Sequence, residues 1–162
     1  MRHLMTTLLA ALVAMTALAQ SYGSLYIEDF EIAPGSTIDV PVMLANTVAT
    51  QGLQFYMYLP DGLTLEELEL TKYSRRLKMN VADNRKNDKW IVALYSMSQT
   101  GFPPDTAAVL NMKLTAQPDF AGGKITITKT LGSSIEYTSI HFDDSSATVT
   151  PAAWQWVNPL NL

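Results

Sequence analysis

The chain has 162 residues, a formal net charge of −4 at pH 7, and no cysteine. The acidic balance makes nucleic acid an unsuitable partner, and the lack of cysteine excludes disulfides, thiol catalysis and cysteine-ligated zinc. This length suffices for one domain that is held together by core packing alone.

The N-terminus has the pattern of a secretory signal peptide. A short positive leader precedes an almost wholly apolar run over 4–18, and Ala17 and Ala19 supply the small residues that signal peptidase recognises. The run is about 15 residues long, whereas a helix that spans a bilayer needs roughly 20. We therefore predict that residues 1–19 are removed, that the mature chain begins at Gln20, and that the protein is extracellular, cell-surface or periplasmic.

Strand patterns separated by turn residues fill the chain after the leader. The predicted strands occupy residues 25–32, 37–44, 53–59, 63–70, 77–81, 90–95, 109–114, 124–131, 135–142 and 147–150. Short strands at this spacing predict an all-β fold, an antiparallel β-sandwich of about nine strands with either Greek-key or jelly-roll connections. The predicted domain covers residues 20–150, and residues 151–162 form a C-terminal tail or linker.

Proline and glycine predict the local details. Pro34 and Gly35 are expected at the centre of a type II turn, and residues 59–62 are expected to form a type I turn. Pro41 cannot donate to a ladder, so its strand is expected to lie at a sheet edge there. The polar residues 83–88 are typical of a loop or hairpin turn.

The strand at 53–59 is the most informative stretch. Its odd-numbered residues are apolar, and the even-numbered ones are Gln54, Tyr56 and Tyr58. The odd face is predicted to be buried and the even face exposed, and exposed tyrosines are typical of an interaction surface. If residues 90–95 form the neighbouring strand, they add apolar groups to that surface. Alternatively, another layer such as the tryptophan-bearing tail covers it.

Seven of the eleven lysine and arginine residues lie between residues 72 and 89. Such clustering in an acidic chain favours binding to an acidic partner or to a polysaccharide. The alternative is that these side chains protect exposed strands from pairing with other molecules.

The sequence predicts no cofactor. His141 alternates with apolar neighbours and is expected on an exposed strand face. Calcium is a weaker possibility at Asp143 and Asp144 or at 83–88, but neither stretch has the spacing of a twelve-residue calcium loop. Turn chemistry explains both clusters.

No catalytic constellation stands out, and we predict a protein that is not an enzyme. Glu67 and Glu69 are expected to share a strand face, where two carboxylates could serve glycoside hydrolysis. A solvated face is the commoner role for such residues. Nucleophile-elbow and phosphate-loop motifs are absent from the sequence.

Three consecutive motifs resemble the start of a cohesin domain. They are Ile32-Ala33-Pro34-Gly35, Ile38-Asp39-Val40-Pro41-Val42 and Gly52-Leu53-Gln54-Phe55-Tyr56-Met57-Tyr58. The resemblance continues in the order of the later strands and covers about residues 25–150. The stretch Tyr58-Leu59-Pro60-Asp61 departs from the Tyr-Asp-Pro of scaffold cohesins and is more similar to cohesin-like domains.

The resemblance implies a nine-stranded jelly roll that docks a dockerin, which is a calcium-binding helical partner in extracellular enzyme assemblies. It also implies that docking uses one sheet face, formed by the strands at 53–59, 77–81 and 90–95. Carried over by position, the partner-binding residues are Gln54, Tyr56, Tyr58, Lys78, Asn80, Trp90 and Leu94.

The sequence thus predicts an exported, noncatalytic module that docks a dockerin-like or other surface protein through the tyrosine face, with the basic strand steering an acidic partner. The first alternative is a carbohydrate-binding module that stacks sugars on Tyr56, Tyr58 or Trp90. The second is a structural domain of a larger surface protein.

Overall fold

The computed structural model of the protein describes residues 20–153 except for residues 135 and 137. The predicted leader at 1–19 and most of the predicted tail lie outside the described residues. The described part forms an all-β fold with a single short helix. In chain order its elements are β1 (Ser21–Tyr26), β2 (Phe30–Ile32), β3 (Thr37–Asn46), β4 (Thr50–Tyr58), β5 (Leu63–Leu70), α1 (Lys72–Arg76), β6 (Met79–Lys86), β7 (Lys89–Ser96), β8 (Asp105–Ala116), β9 (Gly123–Ser134), β10 (Ser139–Asp143) and β11 (Ser145–Pro151).

The strands hydrogen-bond in the order β5-β8-β3-β1-β10-β9-β4-β7-β6, and β11 pairs with β9 and with β2. This path folds over into a sandwich. One layer contains β5, β8 and β3 and is called the β8 layer below; the other contains β9, β4, β7 and β6 and is called the β4 layer. Buried side chains of both layers belong to one hydrophobic core. The predicted all-β sandwich is therefore confirmed.

The strand count reflects two interruptions. Asp144 separates β10 from β11, and both strands run antiparallel to β9. Opposite this break, Lys129 has a positive φ of 52° and its N–H donates to Asp144 Oδ1 at 3.2 Å. The second interruption is at residues 27–29, which separate β1 from β2. β1 pairs with β10 and β2 pairs with β11, both in parallel. If each interrupted strand is counted once, the eleven strands of the described residues become nine, the number that the cohesin resemblance implies.

The predicted alternation of buried and exposed residues is confirmed in β3 and β4. The core-facing side chains that it identified are Val40, Val42, Leu44, Leu53, Phe55 and Met57. Burying each such side chain contributes roughly 1.5–3 kcal/mol. A one-residue slip would move the whole set to solvent, so the register of both strands is fixed by the core.

Pro41 lies at a sheet edge, as predicted. It is opposite Asn111 of β8, whereas the pairing of β3 with β1 on its other side covers only residues 43–46. Because proline has no N–H to donate, the unpaired side of β3 is where the ring is tolerated.

One of the two predicted turns is correct. Gly35 has a φ of +81° at the third position of the type II turn. The type I turn predicted at 59–62 is wrong, because the Leu63 N–H donates to the Pro60 carbonyl at 3.2 Å. The turn therefore starts at Pro60 and places Gly62, with a φ of +88°, at the position that requires a left-handed residue.

The helix α1 was not predicted. The Thr71 hydroxyl caps its first turn by accepting from the Ser74 N–H at 3.2 Å, and the buried Ser74 hydroxyl donates to the Val109 carbonyl at 2.6 Å. The second bond fastens this five-residue helix onto β8, so the helix depends on a tertiary contact as well as on its cap rather than on its own hydrophobic period.

The strand predicted at 77–81 is also different in the structure. It starts at Met79 and continues to Lys86, through most of the predicted loop at 83–88. Only Asn87, with a φ of 59°, and Asp88 form the turn into β7. Since β6 is the last strand of its layer and its second half is exposed on both sides, it shows no hydrophobic alternation there.

A buried amide holds the end of the sandwich together. The Asn46 side chain donates to the carbonyls of Val48 at 2.8 Å, Phe102 at 3.2 Å and Pro103 at 3.1 Å. It thereby joins the turn between β3 and β4 to the segment that leads into β8.

We predict that Asn46→Ala lowers the free energy of unfolding by about 2–3 kcal/mol, because buried carbonyls lose their donor. Thr47→Ala is the matched control, since the exposed Thr47 hydroxyl makes a single bond to the Tyr22 carbonyl. It should cost less than about 1 kcal/mol in urea unfolding. Equal losses of unfolding free energy for the two variants would contradict the role of Asn46 in holding this end of the sandwich together.

Candidate functional site

The outer face of the β4 layer is the side that points away from the core. On this face the even-numbered residues of β4 lie between their partners on β9 and β7. They form three rows: Ser133–Gly52–Tyr95, Leu131–Gln54–Ala93 and Thr128–Tyr56–Ile91. Adjacent rows are about 7 Å apart, since each strand residue rises roughly 3.3 Å.

Four of the predicted site residues share this face. Gln54 and Asn80 are exposed, and Tyr56 and Tyr58 are half-buried. Asn80 of β6 lies opposite Tyr95 of β7 and so extends the first row to the edge of the layer. Their role in binding stays a prediction.

Lys78 is near this face but outside the strand. It is exposed, has a φ of 56°, and lies in the turn between α1 and β6. The N–H of Lys78 donates to the Arg75 carbonyl at 3.0 Å, which fixes the turn.

The predicted role of Leu94 is wrong. Leu94 is fully buried, with 0% of its surface exposed, because it lies opposite the core residue Leu53. Its neighbours Ala93 and Tyr95 point outward instead. A core side chain cannot contact a partner without unfolding of the strand.

Trp90 also lies off the outer face. It is opposite the buried Met57, so it points to the core side, where it is half-buried. The Arg85 guanidinium lies 5.9 Å from the centre of its ring. Trp90 lines a separate cleft of about 250 Å³ that it shares with Asp61 and Asp88.

Two exposed apolar residues on the outer face were missed. Leu131 is 55% exposed and Tyr95 is 40% exposed. With Gly52, which has no side chain, they border a shallow depression of about 300 Å³. Leu131 points outward because the bulge at Lys129 shifts the alternation of β9 by one residue, from buried Ile127 onward.

The other end of the outer face is cationic. The Nζ atom of Lys89 lies 4.2 Å from the centre of the Tyr56 ring, and that of Lys129 lies 5.6 Å from it. Both are within the roughly 6 Å over which a cation is attracted to an aromatic ring.

The paired carboxylates of β5 lie on the opposite layer. Glu67 and Glu69 share an exposed face, as predicted, and Glu67 forms an ion pair with Lys113 at 3.3 Å. Hydrogen bonding with Glu69 and the nearby Lys113 ammonium lower the pKa of the Glu67 carboxyl. A glycosidase general acid needs a raised pKa, so this arrangement favours a solvated surface pair.

Metal ligands do not converge in residues 20–153: this part of the chain has no group of three or more histidine, cysteine or acidic side chains suited to a metal ion. His141 is exposed, and Asp83 lies within β6 rather than in a loop. The helix of the described residues is too short and too polar to cross a membrane.

Comparison with solved structures identifies the fold. A cohesin module from a Clostridium perfringens family 33 glycoside hydrolase matches with a TM-score of 0.68 and 12% identity, covering 82% of this chain and 100% of that one. A non-cellulosomal cohesin from the archaeon Archaeoglobus fulgidus matches with a TM-score of 0.63 and 13% identity, over 78% and 90% of the two chains. The fold is that of cohesin modules.

A third matching structure was solved with a partner. The OlpA cohesin of Clostridium thermocellum, in a type I cohesin–dockerin complex, has a TM-score of 0.64 and 13% identity, over 78% of this chain and 97% of that chain. No protein-family model and no curated protein matches the chain. The cohesin likeness therefore rests on backbone architecture.

The division between core and outer face predicts opposite outcomes for two leucines. Leu94→Ala should lower the free energy of unfolding by about 2–5 kcal/mol, since it opens a cavity in the core. Leu131→Ala should change it by less than about 0.5 kcal/mol, because Leu131 is mostly exposed. Urea titrations of the two variants compare the values directly. A large loss for Leu131→Ala would show that another part of the chain covers the outer face.

Proposed function

We propose that the protein is an exported, noncatalytic binding module that docks a dockerin-like or other surface protein through the outer face of its β4 layer. The observation that carries the proposal is the exposed tyrosine and leucine surface on this face of a cohesin fold. A structural relative solved together with a dockerin supports the choice of a protein partner.

The shape of the outer face favours a macromolecule. Small-molecule sites are usually deep clefts, whereas the depression beside Gly52 is shallow and open. Tyrosine side chains on a rigid sheet offer large contact area at little entropic cost, which is how protein interfaces gain much of their affinity.

Noncatalytic binding is further supported by the positions of the acidic residues. The paired carboxylates Glu67 and Glu69 lie on the β8 layer, remote from the tyrosine face, and Lys113 already neutralises one of them. The outer face itself presents amide, hydroxyl, apolar and ammonium groups, which suit docking.

We predict that a photo-crosslinking residue at Gln54 captures the partner and that the same residue at Asp39 does not. Both positions are exposed and lie within strands, but Asp39 belongs to the β8 layer. The probes are purified dockerin domains and the surface proteins of the native host, with adducts identified by mass spectrometry. Equal capture from the two positions would contradict docking through the β4 layer.

We further expect that Tyr56→Ala combined with Tyr58→Ala weakens binding of the captured partner at least tenfold, which corresponds to about 1.4 kcal/mol. Calorimetric titration measures the affinity, and urea unfolding confirms that the variant is folded. Unchanged affinity would overturn the role of the tyrosines. Binding to a glycan array that these substitutions abolish would instead support a carbohydrate-binding module.

The predicted export can be tested separately through cleavage of the signal peptide. When the full chain is produced in a bacterial host, the protein outside the cytoplasm should start at Gln20, and Ala17→Arg with Ala19→Arg should block cleavage because signal peptidase needs small residues there. N-terminal sequencing provides the measurement, and Ala11→Ser, inside the apolar run, is the control. A mature protein that still starts at Met1 would contradict export by this signal.

A further inference from the structure

Two lysine ammonium groups lie next to the Tyr56 ring on the outer face. The Nζ atoms of Lys89 and Lys129 lie 4.2 Å and 5.6 Å from the centre of this ring. Because both distances are measured to the same ring centre, the two nitrogens lie within about 10 Å of each other, comparable to the roughly 8–10 Å over which salt screens charge, so the two charges repel each other. The attraction of the ring offsets part of that repulsion.

Neither ammonium group is paired with a carboxylate of residues 20–153. In this part of the chain, Lys113 with Glu67 is the only ion pair, and it lies on the β8 layer. The cluster therefore presents a local positive charge on a protein whose formal net charge is −4. An anionic group from outside the described chain would complete it.

The cluster is positioned by backbone structure. Lys129 occupies the β9 bulge with a φ of 52°, and its N–H is held by Asp144. Lys89 is half-buried where β7 leaves its tight turn. Because both backbones are fixed, a partner gains this charge pair without having to order a loop.

An apolar depression lies beside the cluster at a defined distance. Leu131 is one row from Tyr56, and Gly52 with Tyr95 is two rows away. These steps correspond to about 7 Å and 13 Å along the strands. On an α-helix, which rises about 1.5 Å per residue, the same distances separate side chains roughly one to two turns apart.

We propose that the outer face selects a helical partner segment that carries a carboxylate and an aliphatic side chain one to two turns apart. The carboxylate binds between Lys89 and Lys129, and the aliphatic side chain fills the depression formed by Leu131, Gly52 and Tyr95. This inference rests on the proposed docking function and specifies the chemistry of the partner. Because the same ligand also has to fill the apolar depression, the anion is a side chain of a peptide rather than a free phosphate.

A library of helical 18-residue peptides displayed on phage provides the probe, with the surface positions of the helix randomised. Peptides selected on the protein should be enriched in aspartate or glutamate one to two turns from leucine or isoleucine. The affinity of the selected peptides, made synthetically, is then measured by calorimetry against the protein and its variants at 50 mM and 300 mM salt, whose screening lengths differ by a factor of about 2.4.

The variants separate the two halves of the site. Lys89→Gln with Lys129→Gln should weaken binding at least tenfold and remove most of its salt dependence. Leu131→Ser should also weaken binding at least tenfold, but it should leave the salt dependence unchanged. Lys113→Gln removes one positive charge from the β8 layer and should leave the affinity within twofold.

Each other outcome overturns a distinct claim. If the selected peptides lose affinity for the Leu131→Ser variant but bind the double lysine variant as tightly as the original protein, the carboxylate inference is overturned. Docking through the outer face is then still supported. If the selected peptides lose affinity for the double lysine variant but not for Leu131→Ser, the proposed combination of a carboxylate with an aliphatic side chain is overturned. If the affinity of the selected peptides is unchanged by Leu131→Ser and by Tyr56→Ala, both the inference and the proposed function are overturned. The same holds if the library yields no binders.

Discussion

The position of β4, which is paired on both sides and packed against the core on one face, is the constraint on which the rest of the structure depends. β4 is hydrogen-bonded on both sides, to β7 and to β9, while Leu53, Phe55 and Met57 fix its register in the core. Since side chains alternate strictly along a strand, that register also decides what the opposite side presents. The composition of the outer face therefore follows from core packing, even though none of its residues contributes to the core.

The bulge in β9 supplies what a regular strand could not. Ile127 is buried and Leu131 is exposed although both have odd numbers, because Lys129 adopts a left-handed conformation between them. The same residue carries one of the two ammonium groups at Tyr56. One local irregularity thus sets both the apolar and the cationic part of the candidate site, which is a common use of bulges.

The strands and the faces of β3 and β4 could be predicted because half-buried strands alternate visibly in sequence. The faces of β7 could not, since residues 90–95 are all apolar and such a run does not distinguish Leu94, which is buried, from Tyr95, which is exposed. Leu131 was missed because its orientation depends on a backbone conformation that lysine rarely adopts. α1 and the second half of β6 were missed because tertiary hydrogen bonds, rather than a hydrophobic period, define them.

The pairing of the first strands with the last has a kinetic meaning. The Ser145 hydroxyl donates to the Leu25 carbonyl at 2.7 Å across 120 residues of chain, and β1 itself lies between β3 and β10. The entropic cost of closing a long loop has to be met before such distant segments make favourable contacts. Proteins of this topology therefore generally fold in milliseconds to seconds rather than microseconds. The pairs of β1 with β10 and of β2 with β11 cannot form during synthesis until the last two strands have left the ribosome.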